Sequence, residues 1–287
     1  GIASLKVLNF DLANKNTLTS NLRYFHNLEV INVIDTDISD LSFLRELRNP
    51  ELIDSLTILR NANLTSLDGI EILTNITSLE MYNNTRLLEF LGIENFIHLT
   101  KLSIRGNDSL RRLSSFDNLT SLTKLYVGGN MMLQEVPSFQ MLNNLTSLRI
   151  VKNSKIVEIP NLKTLENLTT LSISGNVRLT ELPDLSTLTK LTILSLDQNH
   201  GLTEISSLDS LTSLSELSIV DNARLTKIAS LKNLSNLTSL NLESNSELIE
   251  LPELPTLQNL EKILLPIKFV LIEDSIMKAY PNIKMID

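Results

Sequence analysis

The sequence predicts an α/β-type solenoid, a right-handed superhelix with a parallel sheet on its concave side and 3₁₀ or extended segments on its convex side. The nine-residue pattern L-x-x-L-x-L-x-x-N recurs along the whole chain. Consecutive copies start 23 residues apart, with one interval of 25, so we expect about 12 repeats. After the asparagine, apolar residues follow at every third position.

Each L-x-L segment predicts a strand with one buried face, because side chains alternate between the two faces of a strand. In the stretch HLTKLSIRGN the leucines and the isoleucine point inward, and Lys101, Ser103 and Arg105 point outward. Weaker copies of the pattern begin at Leu5, Leu28 and Leu260.

The segment after each asparagine predicts the convex side. A spacing of three keeps the apolar side chains on one face of a 3₁₀ or extended turn, and it does not suit an α-helix. Proline fits the first residue of such a turn and disrupts the interior of a helix. Four prolines share one repeat position, namely Pro137, Pro160, Pro183 and Pro252.

The repeated asparagine predicts a structural ladder. Its side-chain amide can bond backbone groups of its own turn and of the adjacent turn, which leaves few buried polar atoms unpaired. We therefore expect a structural role, and no catalytic one, for nine residues: Asn61, Asn84, Asn107, Asn130, Asn153, Asn176, Asn199, Asn222 and Asn245.

The unbroken period predicts a single domain over residues 1–287, with residues 266–287 as a capping segment within it. Residues 273–280 are expected to form a short amphipathic helix that ends at Pro281. The final segment PNIKMID is expected to add a last strand that shields the end of the core.

Composition excludes several classes of function. The net charge is −8 and the sequence pI is about 5.1, which disfavours general binding to nucleic acid. There is no cysteine, so disulfides and thiolate metal sites are excluded. No apolar run approaches the roughly 20 residues that a membrane span needs. The start GIASLKVLNF shows no basic head followed by a cleavage site, so no signal peptide is visible.

No pattern of residues indicates catalysis. His26, His98 and His200 are isolated from one another in the sequence, whereas a metal site needs several converging ligands. The motifs H-E-x-x-H and G-x-S-x-G and the phosphate-binding loop are absent. We therefore predict a protein that is not an enzyme and that has no cofactor and no metal.

The repeat pattern is the signature of leucine-rich repeats and covers essentially the whole chain. Within that class, the phrase TDISDLSFL at residues 36–44 resembles the internalin family of Gram-positive surface proteins, as do DNLTSLTKL and LTKLTILSL. Most repeats depart from the internalin form by one extra residue after the asparagine, as between Asn176 and Leu179. The resemblance implies that the concave face binds a host protein, at the bacterial surface or after secretion.

A second family offers an alternative. The short repeats, the lack of cysteine and the ending PNIKMID are similar to intracellular phosphatase-regulating leucine-rich repeat proteins, which implies a cytoplasmic scaffold. A plant-type receptor ectodomain fits less well, because capping cysteines and the phrase L-x-G-x-I-P are missing.

The outward positions of the strands predict where a partner binds. Tyrosine and arginine are over-represented among the residues that dominate binding energy. The basic and tyrosine residues of successive repeats predict a contact area that consists of Arg60, Tyr82, Lys101, Arg105, Lys124, Tyr126, Arg149 and Lys152. We expect a monomer that binds a protein with an acidic patch, and association that weakens with salt.

Two other readings of the outward positions stay open. Outward residues must be polar somewhere, so some of these charges could serve solubility alone. The outward apolar residues Ile34, Leu59 and Val151 form a second candidate contact area.

Overall fold

The computed structural model describes residues 4–11, 22–254, 259–269 and 284–285. It is a parallel-strand solenoid of about 11 turns that are about 23 residues apart, which confirms the predicted fold class. The chain divides into two compact units, residues 1–144 and 145–287.

The first unit is built on parallel strands that pair one repeat apart. Leu79 of one strand lies beside Leu102 of the next, so the buried and outward positions of each strand continue in register. Its strands are β1 (Val7–Asp11), β2 (Val30–Ile34), β3 (Ser55–Leu59), β4 (Ser78–Tyr82), β5 (Glu89–Phe90), β6 (Lys101–Arg105), β7 (Arg112–Leu113) and β8 (Lys124–Gly128). The short strands β5 and β7 pair with each other away from the main sheet.

The second unit repeats the same arrangement. Leu171 lies beside Leu148 on one side and beside Leu194 on the other, again in parallel register. Its strands are β9 (Ser147–Val151), β10 (Thr170–Ser174), β11 (Ile193–Ser195), β12 (Glu204–Ile205), β13 (Glu216–Ser218), β14 (Lys227–Ile228), β15 (Ser239–Asn241), β16 (Lys262–Leu264) and β17 (Lys284–Met285). The short strands β12 and β14 form a separate pair.

The connections between the main strands contain 3₁₀ helices, short strands, turns and irregular segments. The described 3₁₀ helices span Leu22–Tyr24, Ser42–Glu46, Pro50–Leu52, Ile70–Ile72 and Ile267–Phe269. In the other described repeats the connection consists of turns and segments without regular secondary structure, and Pro137, Pro160, Pro183 and Pro252 all lie there and not in a 3₁₀ helix. The fixed φ of proline suits an extended segment as well as a helical first turn. Pro50 is the proline that does begin a 3₁₀ helix.

The core lies between the sheet and these connections. The inward residues of each strand are buried, as Leu102 and Ile104 illustrate at 2% and 0% exposure. Phenylalanine rings are part of the core of the first unit, and those of Phe90, Phe96, Phe116 and Phe139 are fully buried.

The nine repeated asparagines are all buried at 0% exposure and bond between turns. The Oδ1 of Asn107 accepts a hydrogen bond from the backbone N–H of Asn84 at 3.0 Å, and the Nδ2 of Asn84 donates to the carbonyl of Ile58 at 3.0 Å. In the second unit the Oδ1 of Asn199 accepts the backbone N–H of Asn176 in the same way, at 3.0 Å. These bonds satisfy backbone groups that the turns would otherwise leave unpaired.

The chain end is described only in part. The helix expected over residues 273–280 and its end at Pro281 lie outside the described residues. Strand β17 lies within the segment PNIKMID and pairs in parallel with β16.

Candidate functional site

Three side chains stack on the outer face of the sheet in the first unit, which is the face of the sheet directed away from the core. The guanidinium carbon of Arg105 lies 4.1 Å from the ring centroid of Tyr82 and 4.8 Å from that of Tyr126. Tyr82 stands beside Arg105 on the neighbouring strand β4, while Tyr126 on β8 stands beside Ser103. We call Tyr82, Arg105 and Tyr126 the tyrosine–arginine cluster. Its strands position it, because outward residues of adjacent strands continue in rows across the face.

A second row of residues borders the cluster. Ser103 lies between Glu80 on β4 and Tyr126 on β8. The hydroxyl of Tyr82 donates a hydrogen bond to Oε2 of Glu80 at 2.6 Å. Burial raises the pKa of the Tyr82 hydroxyl, and its bond to the Glu80 carboxylate raises it further. The hydroxyl therefore stays protonated at neutral pH, which keeps this bond in place.

Two buried polar atoms at the cluster have no hydrogen-bond partner. They are the Oγ of Ser103 and the Nε of Arg105. Among the described residues only two other side-chain atoms share this property, the Oγ of Ser114 and the Oγ1 of Thr187.

Lys101 and Lys124 add positive charge beside the cluster. They stand next to each other in the register of β6 and β8, and both are exposed. Among the described residues neither lysine forms an ion pair, so both ammonium groups are available to an anionic partner.

Arg60, a further predicted contact residue, is already bound within the chain. Its Nε and Nη2 donate to the two carboxylate oxygens of Asp35, at 2.8 and 2.5 Å. These bonds hold the pKa of Asp35 below its usual range. Arg60 therefore contributes less free charge than its sequence position suggests.

The remaining predicted contact residues, Arg149 and Lys152, belong to the second unit. Arg149 is exposed on strand β9, and Lys152 follows β9 in a left-handed backbone conformation with φ of 55°. The second candidate area falls in both units. Ile34 and Leu59 are half-buried neighbours in the register of β2 and β3, and Val151 is half-buried on β9.

The outer face of the second unit carries a carboxylate that is engaged with its own chain. Asp197 accepts hydrogen bonds from the hydroxyl of Ser195 at 2.9 Å, from that of Ser218 at 2.7 Å and from the backbone N–H of Val220 at 2.9 Å. The sequence pattern does not indicate this network, because its three donors are two ordinary serine hydroxyls and one backbone N–H group.

The first unit also contains an open crevice of about 630 Å³ beside the short strand β5. Sequence reasoning missed it. The exposed residues Leu88 and Leu91 line it together with Arg111 and Arg112. Its wall also includes Asp68 and Glu71.

Neither a metal-ligand cluster nor a membrane-spanning helix occurs in the described part of the chain. No three His, Cys, Asp or Glu side chains group as possible metal ligands there. No helix there has the length and hydropathy to cross a membrane. His200 lies 3.7 Å from the carboxylate of Asp221, and His26 lies 3.5 Å from Nη1 of Arg48.

Comparison with known proteins identifies the repeat. The family described as leucine-rich repeats (two copies) matches residues 166–211. A search of the curated proteins found no match.

Several solved structures are similar to this chain. A leucine-rich repeat protein of Leptospira interrogans is 19% identical, with 99% of this chain and 96% of that chain covered and a TM-score of 0.48. TLR13, solved in complex with ssRNA13, is 18% identical, with 100% of this chain and 49% of that chain covered and a TM-score of 0.52. This chain thus spans about half of that structure. An internalin of Listeria monocytogenes is 15% identical, with 77% and 85% covered and a TM-score of 0.37. At these identities the likeness concerns the fold alone.

Proposed function

Since this chain is a leucine-rich repeat protein, we propose that it is a non-enzymatic recognition module that binds a protein partner through the outer face of its sheet. The fold suits this role, because stacked repeats expose a long row of outward side chains on a rigid frame. A rigid frame lowers the entropy cost of binding, since the contact residues are ordered beforehand.

The tyrosine–arginine cluster carries the proposal. Tyrosine and arginine dominate the energetics of many interfaces, especially where they lie close together and partly desolvated. Here one arginine packs against two tyrosine rings, at 4.1 and 4.8 Å from its guanidinium carbon to the ring centroids. The exposed Lys101 and Lys124 favour a partner with an acidic patch, and salt is then expected to slow association. Arg149 and Lys152 of the second unit are further proposed contact residues.

The partner is proposed to be a host protein, and the site of action the bacterial surface or the medium outside the cell. The support is the sequence phrase TDISDLSFL and its relatives, which resemble internalin repeats. The alternative is a cytoplasmic scaffold that binds a cellular protein, supported by the ending PNIKMID. Fractionation of the source cells with an antibody against the repeats separates the two readings. Detection on the surface or in the medium supports the first, and confinement to the cytosol supports the second.

Affinity capture with matched variants tests the binding face. The double variant Tyr126→Ala with Arg105→Ala removes the centre of the cluster, and Leu88→Ala with Arg112→Ala alters the crevice instead. We expect the first variant to lose at least about tenfold in affinity for the partner that the wild type captures, which equals about 1.4 kcal/mol. The crevice variant should bind as the wild type does.

Thermal unfolding of both variants serves as the control, since both sets of side chains lie outside the core. Loss of capture in the crevice variant alone, with the cluster variant unaffected, would show that the partner binds elsewhere. Capture that survives in both variants would likewise contradict the proposal for this face.

A further inference from the structure

We infer that the crevice beside β5 is a second binding site, which takes an extended segment of a protein ligand as an added strand along the free edge of β5. The segment has alternating apolar side chains and one acidic group. The ligand is not the partner of the outer face, so the inference goes beyond the proposed function. It depends on a free strand edge, an apolar lining and one arginine without an ionic partner.

Strand β5 has one paired edge and one free edge. The carbonyl of Leu88 accepts the backbone N–H of Arg111 at 2.8 Å, so it points toward β7. The carbonyl of Phe90 accepts the backbone N–H of Ser114, also at 2.8 Å. Successive residues of a strand direct their backbone groups to opposite edges, so the N–H and C=O of Glu89 point away from β7. In the described part of the chain β5 pairs with β7 and no other strand, and these two groups of Glu89 have no hydrogen-bond partner.

The free edge faces the preceding repeat across the crevice, whose wall includes residues 65–68. That wall does not pair with β5, because its backbone donors are used elsewhere. The N–H groups of Thr65 and Ser66 both donate to the carbonyl of Ser39, at 2.9 and 3.2 Å. The N–H of Asp68 donates to the Oγ of Ser66 at 3.1 Å. The edge of β5 is therefore left to a strand from another molecule.

The crevice has the size and the lining of a ligand site. Its volume of about 630 Å³ lies within the range of about 300–1,000 Å³ that is typical of ligand pockets. Leu88 and Leu91 line it, and each is 49% exposed. An added strand directs every second side chain to the same face, so alternating apolar residues can cover these leucines while the backbone bonds the edge. Covering them removes apolar surface from water, which favours binding.

The charges in the crevice favour a ligand with a single acidic group. The carboxylates that line it are already paired within the chain, two with Arg45 and one with Arg112. Arg111 also lines the crevice and forms no ion pair among the described residues. One carboxylate at the end of the segment complements this guanidinium group.

The second unit provides a matched comparison. Strand β12 has Glu204 at the same repeat position as Glu89, and in the described structure it pairs with β14 only. The carbonyl of Ile205 accepts the backbone N–H of Ala229 at 2.8 Å, so Glu204 also lies on a free edge. The crevice beside it measures only about 290 Å³, and no arginine lines it. We therefore expect the segment to bind at β5 and not at β12.

Nuclear magnetic resonance of the ²H,¹⁵N-labelled full chain tests the inference at the free edge. The probe is the peptide acetyl-VTLTVE-amide, in which apolar and threonine side chains alternate and a glutamate ends the segment. We expect a saturable shift of the Glu89 amide, with a dissociation constant below about 1 mM. Hydrogen exchange of this amide should slow when the peptide binds, because the amide gains a partner. The Glu204 amide should not shift.

Three altered peptides separate the features of the ligand. The scrambled peptide acetyl-VLVTTE-amide keeps the composition but loses the alternation. A form of the probe that is N-methylated at its four central residues keeps the side chains but loses the backbone donors. Both should bind at least about tenfold more weakly than the probe. The peptide acetyl-VTLTVK-amide reverses the end charge and should bind about threefold to tenfold more weakly.

Variants of the chain locate the site. Glu89→Pro removes the N–H on the free edge and breaks no bond between β5 and β7, so it should abolish binding. Leu88→Ser with Leu91→Ser alters only exposed side chains and should weaken binding at least about tenfold, which tests the site even if the proline variant unfolds. The control Glu204→Pro makes the same change on β12 and should bind as the wild type does. Thermal unfolding shows which variants are folded.

Several results would overturn the inference. These are no saturable binding of the probe, equal affinity for the scrambled or the N-methylated peptide, or unchanged affinity in the double serine variant. A shift of the Glu89 amide on dilution of the protein alone would show that the edge pairs with a second copy of the chain instead. Capture of the outer-face partner is measured separately, so any of these results would leave the proposed function standing.

Discussion

The residue just before each of the nine ladder asparagines adopts a left-handed backbone, and so does Asp35 before Thr36. Three of these residues are glycines, Gly106, Gly129 and Gly175, which tolerate such a conformation. Seven are not, namely Asp35, Arg60, Asn83, Lys152, Gln198, Asp221 and Ser244. Their φ values between 52° and 59° are unfavourable for residues with a Cβ, so the repeat frame imposes this turn against local preference.

This conformation predicts that a glycine stabilises the turn at Gln198. Its side chain is exposed and its φ is 57°. Gln198→Gly relieves a steric cost of about 1–2 kcal/mol and adds an entropic cost of about 0.5–1 kcal/mol, so we expect a net gain of about 0.5 kcal/mol. The urea midpoint of unfolding measures the change.

The reverse substitution at Gly129 is the matched control. A Cβ added there would lie 3.5 Å from the nearest atom, the backbone nitrogen of Gly106, so the space admits it and only the φ of +64° opposes it. Gly129→Ala should lower the free energy of unfolding by about 1–2 kcal/mol. If Gln198→Gly also lowers the free energy of unfolding, the left-handed backbone at Gln198 is not strained.

At the scale of elements, the sequence predicts the strands better than the connections. The alternation in L-x-L fixes which residues face inward, because a shift by one residue would expose every leucine. The connections follow a weaker rule, since apolar spacing by three fits both a 3₁₀ helix and an extended segment. The Ser42–Glu46 and Ile70–Ile72 helices and the paired strands β5 and β7 share the same spacing signal, so the sequence could not separate them.

The connections of the first unit contain an ion-pair network that joins two 3₁₀ helices. Arg45, in the helix Ser42–Glu46, donates to the carboxylates of Asp68 and Glu71 at 2.6 Å each. The bond to Arg45 holds the pKa of Asp68 below its usual range. Burial acts to raise the pKa of Glu71, but hydrogen bonds from backbone groups and from Arg45 outweigh it, and the net shift is downward.

These lowered pKa values predict a pH-dependent contribution of Arg45 to stability. A carboxyl group with a depressed folded pKa stabilises the fold above its unfolded pKa, and the contribution is lost as the pH falls through the folded pKa. Arg45→Met should therefore lower the melting temperature at pH 7. The difference from wild type should shrink below about pH 4, where aspartate and glutamate take up protons.

Calorimetry across this pH range tests the prediction, with Arg111→Met as the control, because Arg111 is exposed and makes no ion pair among the described residues. If the melting temperatures of Arg45→Met and wild type differ by the same amount from pH 7 to pH 3, lost packing and not lost charge accounts for the difference. Added salt should also reduce the difference at pH 7, because all three groups are partly exposed.

At the scale of the whole molecule, the period alone predicted the solenoid, because no repeat can bury its apolar residues without a neighbour. The contact area was less predictable. The sequence places Tyr82, Arg105 and Tyr126 on outward positions, but the stacking of the arginine between the rings depends on rotamers. Nor did the sequence indicate that Arg60 binds Asp35 through a side chain that reaches back by one repeat. The partner of an outward side chain depends on which residues the neighbouring repeats place beside it. The repeat pattern does not fix the residue type at outward positions, so it does not predict these partners.

The pairing of each strand with its neighbours in the sequence predicts that damage to one repeat stays local. In the second unit Leu171 is fully buried on β10, which pairs with β9 and β11. Leu171→Ala removes buried methyl groups and should cost about 2–5 kcal/mol at that repeat. Since stability in a solenoid is approximately a sum of repeats and nearest-neighbour interfaces, amides of β9, β10 and β11 should exchange hydrogen faster, while those of β15 and β16 should exchange as in the wild type.

Hydrogen exchange followed by mass spectrometry resolves these strands, with the exposed Val177→Ala as the control. A uniform loss of protection from β9 to β16 would instead show that the second unit unfolds as one cooperative block.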